Sequence, residues 1–229
     1  MDSSGVGKSS RRKSALLVDV GGTLLETSKP VVDTYLSFAE KHGVDVTPVA
    51  VKQGFKTAFS SPWPHALRYE GDGRVFWKYA VETATGSANE ALFEDLYQHY
   101  ADPEAWQVAT GAVSALQKLR NSGVRLAVVS NFDTRLRPLL QSLNVDILFD
   151  AIVVSAEVGK EKPDREIFHI ALQELQVDDP ADALHVGDDR INDKFGAEAA
   201  GLDAILWKED LHNFEELAQL ILRTRNEAA

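Results

Sequence analysis

The sequence predicts an α/β fold, a doubly wound parallel sheet with an all-helical insertion after its first strand. Five short apolar runs without strict alternation are typical of strands buried on both faces. Helical patterns separate the later four runs, which favours right-handed crossovers between parallel strands. The 229 residues, 44% of them hydrophobic, are enough for one large domain or one domain with an insertion.

The elements of the predicted core follow in order. The first strand is predicted at "ALLVDV" (15–20) and leads into a Gly-Gly turn. The other strands are predicted at "RLAVVSN" (125–131), "FDAIVVS" (149–155), "ADALHVGD" (181–188) and "DAILW" (203–207). The helices are predicted at "GAVSALQKLRNSG" (111–123), "TRLRPLLQSLN" (134–144), "DREIFHIALQEL" (164–175), "INDKFGAEAAG" (191–201) and "FEELAQLILRTR" (214–225).

Residues 27–108 have helical periodicity and no clear strand. The predicted helices are "VVDTYLSFAEKHG" (31–43), "PVAVKQGFKTAFS" (48–60), "GRVFWKYAVETATG" (73–86) and "NEALFEDLYQHYA" (89–101). The many aromatic residues of this segment are interpreted as its own core. The predicted division is therefore a disordered tail at 1–13, a core formed by 14–26 and 109–229, and a helical insertion at 27–108.

Composition excludes several classes of protein. A net charge of −11 argues against nucleic-acid partners and anionic membranes. The absence of cysteine excludes disulfides, thiolate catalysis and cysteine-ligated zinc, and no apolar stretch is long enough for membrane insertion. A cytoplasmic location is expected, with an organelle such as the plastid as the alternative, because the start "MDSSGVGKSSRRKS" is Ser- and Arg-rich.

Chemically capable residues follow four of the predicted strands. Ligands of open parallel sheets bind beyond the carboxyl ends of the strands, and the crossovers would bring these residues together. They are Asp19 after the first strand, Ser130 and Asn131 after the second, Lys162 after the third, and Asp188, Asp189 and Asp193 after the fourth.

Such a cluster predicts a metal and phosphate site. Several carboxylates in one pocket need a cation to stay ionised, and an oxygen-only ligand set favours Mg²⁺. Lys162 and the Ser130 hydroxyl are candidates to hold phosphoryl oxygens. Gly21 and Gly22 allow a tight turn and a close approach of the backbone to a ligand.

Four motifs resemble those of the haloacid dehalogenase-like (HAD) superfamily. They are "DVGGTL" (19–24), "VVSN" (128–131), "KEKPDREIF" (160–168) and "HVGDDRINDKFGAEAAG" (185–201). The resemblance runs from about residue 14 and implies a Rossmann-like core with a helical cap of the C1 type. "SNFD" (130–133) and "WQV" just before "GA" (106–112) are similar to one particular branch of the family.

The resemblance implies a role for each motif residue. Asp19 matches a nucleophile that forms an aspartyl-phosphate. Mg²⁺ would be held by Asp19, the Gly21 carbonyl and Asp188, with Asp193 as a further ligand or as a partner that supports the ligands. The phosphate of a small phosphorylated metabolite would be bound by Ser130, Asn131, Lys162, Thr23 and Gly22.

Gly21 stands where phosphatases of the family carry their general acid/base Asp. General acid–base catalysis is worth about 10²–10⁴-fold. The sequence therefore leaves two functions open: a weak or atypical Mg²⁺-dependent phosphatase, and an inactive HAD-fold protein that binds a protein partner as a scaffold or assembly factor. Asp133 and Asp189 are possible substitutes for the acid, although loop or capping roles are favoured for both.

Two other chemistries of the family are not supported. Dehalogenases have Tyr at the position of Gly21, and phosphonate-cleaving members use a desolvated cap lysine, for which Lys52 and Lys56 are the candidates. Lysines in such a segment are more often solvated. His185 lies in a predicted strand and is interpreted as a packed core residue.

Overall fold

The computed structural model describes residues 11–65 and 67–227. Its main sheet has five parallel strands: β1 (Ala15–Val18), β4 (Arg125–Ser130), β5 (Ala151–Val154), β6 (Ala183–Gly187) and β7 (Asp203–Leu206). Across the sheet they lie in the order β5-β4-β1-β6-β7. The expected doubly wound α/β fold is confirmed.

Strand β1 is the centre of the sheet and is buried completely. Its side chains alternate between two cores. Leu16 and Val18 pack with Leu116 and Phe214, which come from α5 (Ala112–Asn121) and α10 (Phe214–Glu227). On the opposite face Leu17 packs with residues of α8 (Arg165–Glu174). Apolar residues on both faces explain why the strand has an uninterrupted apolar run.

The remaining elements of the core are shorter. They are α6 (Leu136–Ser142), α7 (Ser155–Val158), α9 (Gly196–Ala199) and single 3₁₀ turns at Pro103–Ala105, Asp146–Leu148 and Pro180–Asp182. Among the described residues, no helix has the length and apolar character needed to cross a membrane.

Four helices lie between β1 and α5 and form what we call the helical insert. They are α1 (Val31–Lys41), α2 (Pro48–Ser60), α3 (Arg74–Thr85) and α4 (Glu90–His99). Helices α2 and α3 touch at Gly54, where a side chain would overlap the backbone of Ala84. Their shared core is aromatic, as the sequence indicates, with Tyr35, Phe76 and Phe93 buried.

A two-stranded antiparallel ribbon joins the helical insert to the core. It pairs β2 (Leu25–Thr27) with β3 (Trp106–Val108). The segment 27–108 that the sequence predicts as helical therefore begins and ends with residues of these short strands. Three-residue strands are too short to produce a periodic pattern, so only the fold reveals them.

Two further segments differ from the sequence expectations. Instead of one helix over 191–201, Arg190–Phe195 forms a π-helical turn that runs into α9, and such turns occur frequently at functional sites. Residues 11–13 belong to the expected disordered tail, yet the Lys13 ammonium is buried and donates to the Ala181 carbonyl at 2.6 Å. Residues 1–10 of that tail lie outside the described chain.

Candidate active site at the carboxyl ends of the strands

Asp19 is the centre of the site. It follows β1, and its backbone N–H still donates to Val186 on β6 at 2.9 Å, so the end of the sheet fixes its position. Its Oδ1 accepts from the Lys162 ammonium at 2.7 Å and from the Ser130 hydroxyl at 3.3 Å. The residue is only 6% exposed, so Lys162 and Ser130 provide the polar surroundings that burial removes.

Lys162 is buried and connects two carboxylates. Its ammonium also donates to Asp193 Oδ1 at 2.6 Å and to the Val129 carbonyl at 3.0 Å. Burial alone would lower the pKa of Lys162, but the charges of Asp19 and Asp193 outweigh burial and raise it. The lysine is therefore charged at any physiological pH.

Asn131 holds Lys162 in place. The Asn131 side chain donates to the Lys162 carbonyl at 2.8 Å and accepts from the Lys162 N–H at 2.7 Å. The amide nitrogen and the amide oxygen of Asn131 are thus both used to position the Lys162 backbone. The family resemblance, in contrast, implies that Asn131 binds phosphate. The peptide bond between Lys162 and Pro163 is cis.

Asp193 lies within the π-helical turn and is almost completely buried. Its Oδ1 accepts from Lys162, and His185 Nε2 lies 3.0 Å from the same oxygen. Its Oδ2 accepts from the Asp189 N–H at 2.9 Å. Burial would raise the pKa of Asp193, but the Lys162 charge and the His185 hydrogen bond outweigh it and hold the pKa well below its usual range. Gly187 leaves the space for this carboxylate.

Carboxylate oxygens of Asp19, Asp188 and Asp193 lie within 4.8 Å of one another. Burial, followed by the repulsion of Asp193, raises the pKa of Asp188. Burial also raises the pKa of Asp19 to about 6, against the attraction of Lys162. One ammonium facing three carboxylates leaves an excess of negative charge, and the donor set consists of oxygen alone. These residues fit a hard divalent cation such as Mg²⁺.

The two adjacent glycines of the first motif differ in their surroundings. Gly22 has φ +76°, and a β-carbon there would overlap the Asp188 carboxylate. A β-carbon at Gly21 would meet no heavy atom within 4 Å, and Gly21 is not in the left-handed region. The next residue, Thr23, is buried and its hydroxyl has no hydrogen-bond partner among the described residues. The fold thus requires glycine at residue 22 and leaves room for a side chain at residue 21.

Asp133 is used in the contact between the core and the helical insert. It is fully buried, and its Oδ2 accepts from Trp77 Nε1 of α3 at 2.8 Å and from Arg135 Nη2 at 2.8 Å. Its Oδ1 accepts from Arg135 Nε at 2.9 Å. We call Trp77, Asp133 and Arg135 the latch. The saturated hydrogen bonds of Asp133 argue against its use as a substitute acid.

Asp189 and the two lysines of α2 have roles away from the acidic cluster. Asp189 caps the π-helical turn, where its carboxylate accepts from the N–H groups of Ile191 and Asn192 at 2.8 Å each. This is the capping role that the sequence favours. Lys52 and Lys56 are exposed on α2 and line a cavity of the helical insert that contains none of the site residues.

His185 is a core residue, as expected from its position in a strand. It is fully buried, and its ring packs edge-on against Phe168 of α8. Its contact with Asp193 gives it a positioning role as well, because it helps to fix one of the three clustered carboxylates.

Tyr69 of the helical insert was not indicated by any pattern in the sequence. Its ring packs against Trp77 with centroids 5.7 Å apart. Burial raises its pKa and Arg68 opposes the rise, while the charges of Glu161, Asp133 and Asp19 add to it. Tyr69 therefore stays protonated, buried beside Trp77 of the latch. Only the folded arrangement of insert and core reveals this.

The fold and the site define a class of protein. The model of the haloacid dehalogenase-like hydrolase family matches residues 13–201, and the chain belongs to that family. Haloacid dehalogenase-like hydrolase domain-containing protein 3 of Mus musculus is 37% identical over 199 residues, which cover 82% of this chain and 79% of the mouse protein. Rhythmically expressed gene 2 protein of Drosophila melanogaster is 35% identical over 120 residues, which cover 50% of this chain and 46% of the Drosophila protein. The branch resemblance is confirmed.

Solved structures show the same fold. A HAD hydrolase of Bacillus subtilis, described as bound to magnesium, superposes with a TM-score of 0.71 at 20% identity. The match covers 93% of this chain and 100% of the Bacillus protein. A HAD phosphatase of Thermococcus onnurineus superposes with a TM-score of 0.61 at 22% identity, and the match covers 87% of this chain and 88% of that protein. Identities this low support the fold alone.

Proposed function

We propose that the chain carries a Mg²⁺-dependent phosphatase-type site for a small phosphorylated metabolite, with turnover that is weak or atypical because Gly21 supplies no acid. The observation that carries this proposal is the position of Lys162, which contacts Asp19 and Asp193 while Asp188 completes a cluster of oxygen donors. Bound at Asp19, Asp188 and Asp193, Mg²⁺ would supply positive charge to the phosphoryl group.

Asp19 acts as the nucleophile in this proposal. Its carboxylate attacks phosphorus, and the bond from phosphorus to the ester oxygen breaks to give an aspartyl-phosphate. Water then attacks the same phosphorus, which releases inorganic phosphate and restores the carboxylate. Lys162 and the Ser130 hydroxyl hold Asp19 in position and face the incoming negative charge.

The leaving oxygen needs a proton that this chain does not provide at residue 21. Water must supply it, so a good leaving group such as a phenolate is favoured over an alkoxide. The loss corresponds to about 10²–10⁴-fold in rate, or roughly 3–5 kcal/mol of barrier. Slow turnover of ordinary phosphate esters, with faster turnover of aryl or acyl phosphates, is the expected profile.

A binding function is the second candidate. Gly21 removes the acid but leaves its backbone carbonyl, and Asp19, Lys162 and Asp188 remain in place. A site of this kind would retain ligand binding without efficient catalysis. In that case the chain would act through a protein partner as a scaffold or assembly factor.

One assay separates the two candidates. Wild type and Asp19→Asn are assayed with Mg²⁺ against 4-nitrophenyl phosphate, acetyl phosphate and a panel of alkyl phosphates. Turnover by the wild type that Asp19→Asn abolishes supports the phosphatase. Equal rates for both proteins, or none at any ester, would exclude it, and binding of inorganic phosphate with Mg²⁺ would then favour the second candidate.

A further inference from the structure

The helical insert contains a cavity of about 560 Å³ that is separate from the acidic site. Small-molecule sites typically measure about 300–1,000 Å³ and are largely apolar. Aromatic and aliphatic side chains from all four helices line the cavity, among them Tyr35, Phe55, Val81 and Leu96. The lining contains no acidic residue and none of the carboxylates that surround Lys162.

All charged residues that line the cavity are basic: Lys52, Lys56 and Arg135. Arg135 is satisfied by Asp133 and by the Tyr97 carbonyl, which accepts at 2.9 Å. Lys52 and Lys56 are exposed, one turn apart on α2, and neither has an acidic partner within ion-pair distance among the described residues. In a chain with a net charge of −11, two such lysines at an apolar cavity are complementary to an anion.

We propose that this cavity binds an amphipathic carboxylate, whose acyl chain lies among the aromatic side chains and whose head group lies between Lys52 and Lys56. Water is held weakly in such a cavity because the lining offers few hydrogen bonds, whereas every methylene group of an acyl chain that is buried there favours binding. A cationic or neutral amphiphile would leave the two lysines without a counter-charge. The proposal is independent of turnover at Asp19.

The site also has a connection to the core. Trp77 and Arg135 line the cavity and belong to the latch, and Phe132 of its lining follows Asn131, which holds Lys162. A ligand in the cavity therefore contacts residues that join the helical insert to the segment bearing the acidic site.

The experiment measures binding of dodecanoate to the full chain by titration calorimetry, with dodecanol and dodecyltrimethylammonium as head-group controls. Dodecanoate is expected to bind most tightly. Lys52→Gln/Lys56→Gln should weaken it roughly three- to ten-fold. Lys41→Gln/Lys118→Gln, which removes the same charge from exposed lysines outside the cavity, should change it less than two-fold.

Two measurements locate the ligand. Val81→Trp, which fills the cavity, should abolish binding, with folding checked by circular dichroism. In the unmodified chain, 12-bromododecanoate should quench Trp77 and Trp106, which line the cavity, and leave Trp63 and Trp207 emitting. The proposal is overturned if dodecanoate does not bind below millimolar concentration, if both lysine pairs behave alike, or if dodecyltrimethylammonium binds as tightly.

Discussion

Asp188 packs its carboxylate against the α-carbon of Gly22, so closely that a β-carbon at residue 22 would overlap the carboxylate oxygens. The φ of +76° at Gly22 is itself one that residues with a β-carbon rarely adopt. The neighbouring Gly21 has neither constraint. Glycine is therefore required at residue 22 for steric reasons, whereas no steric constraint requires glycine at residue 21.

Gly22→Ala should displace Asp188 and weaken Mg²⁺ binding by at least ten-fold, because one of the three oxygen donors moves. The left-handed backbone adds a cost of about 1–2 kcal/mol in the free energy of unfolding. Titration calorimetry with Mg²⁺ and urea unfolding measure the two effects. Gly21→Ala is the matched control and should leave both values close to those of wild type.

Gly21→Asp should raise the rate of hydrolysis of alkyl phosphates by about 10²–10⁴-fold, because it returns a proton donor to a position with open space. The gain should be smaller for 4-nitrophenyl phosphate, whose leaving group needs little help from an acid. Values of kcat/KM for the two ester types provide the measurement. Gly21→Asn has nearly the same size and no acid, and an equal gain for that variant would contradict the explanation.

Asp19→Asn should stabilise the metal-free protein near neutral pH. Burial raises the pKa of Asp19 from 3.8 to about 6, so between these values the folded chain keeps a proton that the unfolded chain has released. Stability therefore falls as pH rises through this window, by about 3 kcal/mol in total. The asparagine variant has no such proton, so its advantage should grow from pH 4 to pH 7 in urea unfolding.

Mg²⁺ provides the control for that measurement. An ion bound at Asp19, Asp188 and Asp193 would compensate their negative charge, so Mg²⁺ should stabilise wild type more than Asp19→Asn and reduce the difference between them. Asp193 does not interfere, because its lowered pKa changes stability only below about pH 3.8. A difference between the two proteins that stays constant from pH 4 to pH 7 would argue against a raised pKa at Asp19.

The convergence of Asp19, Ser130, Lys162 and Asp193 could be predicted from the sequence because strand order and handedness dictate which strand ends meet. Each residue lies at or beyond the carboxyl end of a strand of the parallel sheet, and the sheet is specified by apolar runs that are easy to recognise. That Gly21 stands in place of a general acid is implied by the resemblance of "DVGGTL" (19–24) to the first motif of the family.

Other features depend on contacts between distant segments, and no local pattern encodes them. Asn131 pairs with the backbone of Lys162, thirty-one residues away, and Asp133 pairs with Trp77, fifty-six residues away. The cavity exists only because four helices pack around bulky rings without filling the space between them. The sequence indicates an aromatic core there but not its gaps.

Substitutions in the latch distinguish a structural role of Asp133 from a catalytic one. Asp133→Asn removes the charge that faces Arg135 and puts amide hydrogens against the N–H groups of Trp77 and Arg135. Because the site is fully buried, the free energy of unfolding should fall by about 2–4 kcal/mol. Trp77→Phe, which removes one donor, should cost about 1–2 kcal/mol, and the double variant should cost less than the sum of the two. Urea unfolding measures all three. If Asp133 were instead the substitute acid, Asp133→Asn would abolish turnover of alkyl phosphates at unchanged stability, and Trp77→Phe would not share its effect.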